Sequence, residues 1–445
     1  MPELTKSKVT LVIRGGSVVG PEGLARADVA VGDGVVLEVA EAIDTPKGAT
    51  VLDAGGCLVG PGLVDLHTHL RQPGREEAET VETGARAAAL GGYTAIVAMP
   101  NTEPPIDSAG VVREILDLAA GAAAEVAVAG AITLGRAGTA LAPLGELAAL
   151  GVTLFTDDGS GVQDGALMRR ALDYAKGLGV TLAQHCEDAC LAAGGAMHEG
   201  AWSSRLGIPG VPAAAEEAMV ARDIALVRLT GSRLHFLHLS TAGSVELVRR
   251  AKAEGLPVTA EAAPHHMLLT HAAVAGYDPV FKVNPPLRTD EDVAAVVAGL
   301  CDGTIDAVAT DHAPHAPEAK DVTFDQAPPG MLGLQTALPI AWDVLGPRLG
   351  PGRVFALMSA QPAAIARLTS TDPRVGGHSA HGGPVEAGAA ANLCVFDPAG
   401  TTVVDPRRLA SRSRNTPYAG QAFAGAVRHT VLRGEPVVID AVAQR

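Results

Sequence analysis

The sequence predicts a closed (β/α)8 TIM-like barrel with a small β-sandwich built from both chain termini. Three observations predict it. Eight short apolar runs alternate with Ala/Leu-rich helical stretches, polar chemistry-bearing residues collect at the ends of those runs, and the two chain ends share a different, alternating texture. Strands that are apolar on both faces and alternate with helices suit a parallel sheet covered on both sides, and eight such units suggest closure into a barrel.

Residues 1–60 alternate apolar and polar side chains between Gly turns, as in "VTLVIRGGSVV", "ADVAVGDGVVLEVA" and "TVLDAGGCLV". Half-buried strands read this way. The barrel is expected over 61–384. Its runs are "LVDLHTHL" (63–70), "TAIVAMP" (94–100), "EVAVAGAIT" (125–133), "VTLFTDD" (152–158), "VTLAQHCE" (180–187), "LHFLHLS" (234–240), "PVTAEAAPHH" (257–266) and "IDAVATDHAPH" (305–315). Residues 385–445 return to the first texture in "AANLCVFD" and "AVRHTVLRGEPVV", so the two ends are expected to form one sandwich interrupted by the barrel. A doubly wound open sheet is the competing architecture, but the first turn has no GxGxxG and no Walker sequence appears.

Composition narrows the function classes. With 445 residues, 47% hydrophobic and 19% charged, the chain can build a large core. A net charge of −15 with dispersed acids argues against nucleic acid or an anionic membrane as partner, since both need basic patches. Five scattered cysteines make neither a disulfide framework nor a CxxC zinc site, which fits a reducing cytoplasm. The N-terminus lacks the apolar core of a signal peptide, and the apolar stretch 118–135 is Ala/Gly-rich and carries Glu125, so no membrane span is expected.

The decisive pattern is where the polar residues fall. Six runs end in His67 and His69, Asp157 and Asp158, His185, His238, His265 and His266, and Asp311 with His312, while the second leads into Asn101. In a barrel the C-terminal strand ends converge on one face, where active sites sit. Scattered surface histidines have no reason to track strand ends. His67, His69, one of the paired aspartates, His185, His238 and Asp311 form a donor set suited to borderline divalent metals, zinc above all. Six ligands exceed one tetrahedral ion but suit two ions bridged by a carboxylate, sharing an acidified water. Asp311, at the last strand end, is placed to ligate and also to move a proton.

The remaining histidines have plainer readings. His235, three residues before His238, is expected on the opposite strand face, against a helix. Structural hydrogen bonding is favoured for His265 and His266, and a supporting role for His312. His198, His271, His378, His381 and His429 lie off the strand ends and read as surface residues.

"VDLHTHLRQPG", "GGYTAIVAMPNT", "FTDDG", "AQHCED", "GGAMHEG", "LHFLHLST", "TAEAAPHHMLLT", "KVNPPLRT" and "GTIDAVATDHAPHAPEAK" together resemble the amidohydrolase superfamily and, within it, the class I dihydroorotase family of bacteria. The likeness runs from about residue 10 to 435. It implies an amidohydrolase-type barrel and a pyrimidine-pathway enzyme that closes N-carbamoyl-L-aspartate to (S)-dihydroorotate, reversibly, with Zn2+ as cofactor, one or two ions per chain and two favoured. It further implies His67, His69 and Asp311 on one zinc and His185 and His238 on the second. Many relatives bridge their metals with a carboxylated lysine. The fourth run has none, so an aspartate is expected there, Asp158 by the class I pattern, with Asp157 structural.

Arg71, Asn101, Asn284 and His315 stand where this family binds substrate, as His69 also does, and "APPGMLG" matches a loop that touches the pyrimidine ring through Pro329 and Gly330. A homo-oligomer, in the first instance a dimer, and association with aspartate carbamoyltransferase are the partners the resemblance implies. Two readings compete. One is another cyclic amidase, an allantoinase or a dihydropyrimidinase/hydantoinase, against which the missing lysine and Arg71 weigh. The other is a non-catalytic dihydroorotase-like scaffold, against which the complete ligand set weighs.

Overall fold

The computed structural model describes residues 8–20, 23–369 and 380–445, so His378 lies outside the described residues. Eight parallel strands follow one another in sheet order as in sequence: Leu63–Thr68, Tyr93–Ala98, Glu125–Gly130, Leu154–Thr156, Thr181–Gln184, Leu234–Phe236, Val258–Ala262 and Ala307–Val308. A parallel bridge between Thr68 and His312 closes the ring, with His69 N donating to His312 O at 2.9 Å. Each of the eight apolar runs overlaps one of these strands, the second strand starting one residue early at Tyr93.

Alternation sorts their side chains into two cores. Leu63, Ile96, Val126, Phe155, Leu182, Phe236, Ala260 and Val308 face outward and pack on helices such as Val81–Leu90 and Ala109–Leu118. Val64, Leu66, Val97, Ala129, Leu154, Ala183, Leu237 and Ala307 fill the barrel, where small side chains dominate. The helices start at residues that satisfy their free amides. Thr80 and Thr289 form capping boxes, and Asp164 and Thr241 accept from Leu167 N and Ser244 N. Gly179, at φ 71°, ends the helix Gly165–Leu178 in the left-handed conformation that glycine adopts without strain. No described helix is long and apolar enough to cross a membrane.

The terminal strands build a nine-stranded, mainly antiparallel sheet. Leu58–Pro61 joins the N-terminal strands to the C-terminal ones by pairing with Leu393–Val403, Val59 opposite Val395. The sequence suggests a sandwich; here one hydrogen-bonded sheet curls until Val35 bridges Ala390. Leu11, Val29, Val59, Val395 and Val431 pack on one another inside that curl, so a single sheet supplies both layers.

Candidate active site

The strand ends meet at the barrel mouth, and parity explains which residues arrive there. Counting from interior Leu154 and Ala183, the alternation brings Asp158 and His185 inward, with Glu261 inward on the seventh strand, while Asp311, past the end of its strand, turns in at φ +46°. The other three arrive by local irregularities. Interior Leu66 would leave His67 outside, but the pairing with the second strand slips register between Asp65 and Thr68, and His67 and His69 both face the mouth. The Asp65 carboxylate pins the slip, accepting from Thr310 N and Oγ1, both at 2.7 Å, and from Thr68 Oγ1. His238 turns in because its own φ is +29°.

His235 corrects the sequence reading for the same reason. The two histidines were expected on opposite faces, but the strand ends at Phe236, so the parity between them does not hold. His235 lies inside the barrel beneath the mouth, buried, with Nε2 2.9 Å from Glu261 Oε2 and Nδ1 2.8 Å from Thr259 Oγ1.

Asp158 is the hub of the cluster. Its Oδ1 lies 3.4 Å from His67 Nε2, 3.4 Å from His185 Nδ1 and 3.5 Å from His238 Nε2, and its Oδ2 lies 3.5 Å from His69 Nε2. Asp311 Oδ1 is 3.2 Å from His69 Nε2 and 3.6 Å from His67 Nε2. Burial pushes the Asp311 carboxyl up, but His69, His67 and His238 outweigh it and hold it well below the usual carboxylate range. Asp158 is held low in the same way, chiefly by His67. Asp157 faces elsewhere, accepting from Ile132 N at 2.8 Å and Thr133 N at 3.0 Å.

The donor atoms fit a cation. His67, His69 and Asp311 form one group able to hold a metal ion, and His67, Asp158 and His238 form another. His67 Nε2 and Asp158 Oδ1 are buried with no hydrogen-bond partner among the described residues. Each such atom costs about 1–3 kcal/mol if nothing satisfies it, and a divalent ion between them removes that cost. His185 Nδ1 and His238 Nε2 face each other at 3.0 Å, an arrangement that needs a proton on one ring or a cation beside both. The far nitrogens are committed: His67 Nδ1 donates to Glu261 Oε1 and His69 Nδ1 to Asn101 Oδ1, both at 2.8 Å. Those bonds would leave the Nε2 lone pairs to a metal, which on His67 takes the place of the proton that the neighbouring carboxylates otherwise favour.

A cavity of about 240 Å³ opens above the cluster, lined by His69, Arg71, Asn101, Asp158, His185, His238, Asn284, Asp311, His315, Pro329 and Gly330. Arg71 is buried at φ 60°, with Nε donating to Pro314 O at 3.1 Å. Burial, then Arg75, push its pKa down to about 10, so it stays charged at neutral pH. Burial, then Arg71 and Lys320, push His315 down to about 2 and keep it neutral. Its Nε2 donates to Pro329 O at 2.8 Å, which leaves Nδ1 as an acceptor. Gly330 is at φ 144°, and an added Cβ would stand 2.7 Å from Ala313 Cβ. Its N–H is already given to Lys282 O at 2.9 Å.

Glu261 was missed in the sequence, although a lone acid on the inward parity of an apolar strand is its signal. Among the supporting histidines, His312 Nε2 lies 3.3 Å from Glu79 Oε2 and His266 Nε2 3.0 Å from Pro285 O. His265 Nε2 is buried without a partner among the described residues. His198, His381 and His429 are buried rather than exposed, each bonded to a residue far along the chain, and His271 is half-buried against His198.

A family model described as dihydro-orotase-like matches residues 56–244. A dihydroorotase of Pelotomaculum thermopropionicum is 49% identical over 434 residues, covering 97% of this chain and 99% of that protein. A dihydroorotase of Streptomyces coelicolor is 49% identical over 434 residues, covering 96% and 98%. Among solved structures, the L-hydantoinase (dihydropyrimidinase) of Arthrobacter aurescens superposes with a TM-score of 0.86 at 25% identity, covering 98% of each chain.

Proposed function

The chain belongs to the dihydroorotase family, and on that premise we propose that its barrel mouth interconverts N-carbamoyl-L-aspartate and (S)-dihydroorotate, releasing water on ring closure. One observation carries the reading. Two orphaned metal-type donors, His67 Nε2 and Asp158 Oδ1, lie beside a cavity whose wall holds the buried guanidinium of Arg71. A cation-binding centre beside a carboxylate-binding one suits an anionic cyclic amide; a neutral hydantoin or dihydropyrimidine has no use for the arginine.

The donor set suits two divalent ions, zinc first. His67, His69 and Asp311 would hold one, His185 and His238 the other, and Asp158 would bridge them. Bound there, the ions supply Lewis acidity, polarising an amide carbonyl and acidifying a water. Asp311 is the general base and acid: in hydrolysis it takes the proton of the attacking water and hands it to the departing ring nitrogen, and in synthesis it takes the proton of the ureido nitrogen and returns it to the departing oxygen, which leaves as water with a second proton drawn from solvent. Arg71 grips the substrate carboxylate, with Asn101 and Asn284 beside it. Neutral His315 accepts a ring N–H at Nδ1. Pro329 and Gly330 close the cavity by shape, since the Gly330 amide and the Pro329 carbonyl already have protein partners.

All five cysteines are free thiols, which supports a reducing, cytoplasmic setting. A homodimer and association with aspartate carbamoyltransferase extend the same reading, and sedimentation alone and with that enzyme tests both. The function itself is tested by zinc per chain and dihydroorotate hydrolysis on one sample, before and after chelation. Zinc present, with activity lost on chelation and restored by metal, is expected. Zinc with turnover only of hydantoin or allantoin would replace this function with another, and neither metal nor activity would leave a scaffold.

A further inference from the structure

The roof of the cavity is an arch that cannot hold itself. Its apex is Pro328–Pro329, in irregular backbone, and proline has no N–H to donate. The backbone of the apex can therefore be hydrogen-bonded only through its carbonyls, by donors brought from elsewhere. His315 Nε2 supplies one, to Pro329 O at 2.8 Å. Lys320, at the end of the short helix Pro317–Lys320, supplies the other: its Nζ lies 2.8 Å from Pro328 O.

The same ammonium reaches further. It also lies 3.0 Å from Pro279 O and 3.3 Å from Lys282 O, so its three N–H groups face three carbonyls from two separate segments. The segment 279–282 runs directly into Val283 and Asn284 of the cavity wall. Lys282 O accepts from Gly330 N as well, and Asn415 Nδ2 donates to Gly330 O at 3.1 Å and Ala313 O at 2.9 Å. Asn415 thus fixes Gly330 beyond the apex, and Lys320 fixes Pro328 within it.

We propose that Lys320 is a positioning residue for the substrate: by tying Pro328 to the 279–282 segment it sets the height of the Pro329–Gly330 arch above Asp311 and His315. Holding a cation there is unfavourable. Burial, then the charge of Lys282, push its pKa down to about 7, with Arg71 adding to the fall and Asp278 opposing it. A neutral amine keeps two donors and turns a lone pair toward the third carbonyl, so the ammonium form alone satisfies all three. The substrate half of this inference rests on the dihydroorotase reading, and the loop half does not.

The test is Lys320→Met, which keeps the length of the side chain and removes its donors. Amide exchange at Gly330 in the free protein should quicken by about tenfold or more, because the arch opens more often. KM for dihydroorotate should rise about tenfold while kcat stays within about threefold and metal content is unchanged. Wild-type exchange and KM in the variant, or a loss confined to kcat, would overturn the proposal. Should the variant not accumulate, Lys320→Gln, whose shorter side chain cannot span all three carbonyls, takes its place with the same expected and overturning results. If the wild type does not turn over dihydroorotate, the function fails, and Gly330 exchange still decides the role of Lys320.

Discussion

His67 donates from Nδ1 to Oε1 of Glu261 across 2.8 Å, and the other oxygen of that carboxylate takes a bond from His235 Nε2 at 2.9 Å. Burial alone would raise the Glu261 pKa, but His235 and His67 bring it to about 2, so the group is an anion across the working range. The pair fixes the His67 tautomer and aims its Nε2 lone pair at Asp158 and Asp311. Glu261→Gln should therefore weaken metal binding about 10–100-fold. Competition with a chromophoric chelator measures this without substrate. Unchanged affinity would reduce Glu261 to a packing role.

Asp311 has its carboxylate 3.2 Å from His69 Nε2 at the cavity floor, where proton transfer is its proposed task. Asp311→Asn keeps the shape and removes the base. Turnover should fall by about 10²–10⁴, with the thermal melt little changed. Retention of most activity would exclude the assignment.

Arg71 carries the substrate carboxylate in the proposed function, and a charge-assisted pair is worth about 1.5–3 kcal/mol. Arg71→Ala should raise KM by about 10–100-fold and lower kcat far less. An unchanged KM would mean that the guanidinium serves only to hold Pro314 O, its bond in the structure.

The barrel was legible because its strands are covered on both faces and read as uninterrupted apolar runs. Alternation also carried Asp158 and His185 to one face. It could not carry His67, His69, His238 and Asp311, whose approach depends on a register slip and on φ angles of +29° and +46° that no pattern of residue types encodes. The His235 misreading came from extending strand parity through that turn. The histidines read as surface failed differently. His198 bonds Arg288, 90 positions away; His381 meets Thr94 across 287 positions, and His429 meets Asp53 O across 376. Such partners meet only once segments far apart in the chain have folded against one another.

His198 supplies a pH prediction from that same burial. Its Nδ1 lies 3.2 Å from Arg288 Nη1, and Arg288 is itself buried beside Glu216. Burial first, then the Arg288 charge, push the His198 pKa from 6.5 down to about 4. In the unfolded chain the ring takes up a proton below about 6.5, while the folded ring stays neutral down to about 4. The unfolded state thus binds more protons in that window, so the contribution is intact above pH 6.5 and is lost as the pH falls toward 4. Between pH 7 and pH 5 the loss should be about 1 kcal/mol, less than the shift implies because the ring is partly screened by solvent. His198→Gln, which keeps an acceptor for Arg288 and does not titrate, should flatten urea-unfolding stability over that range by about this amount. Equal acid sensitivity in both proteins would place the titrating group elsewhere.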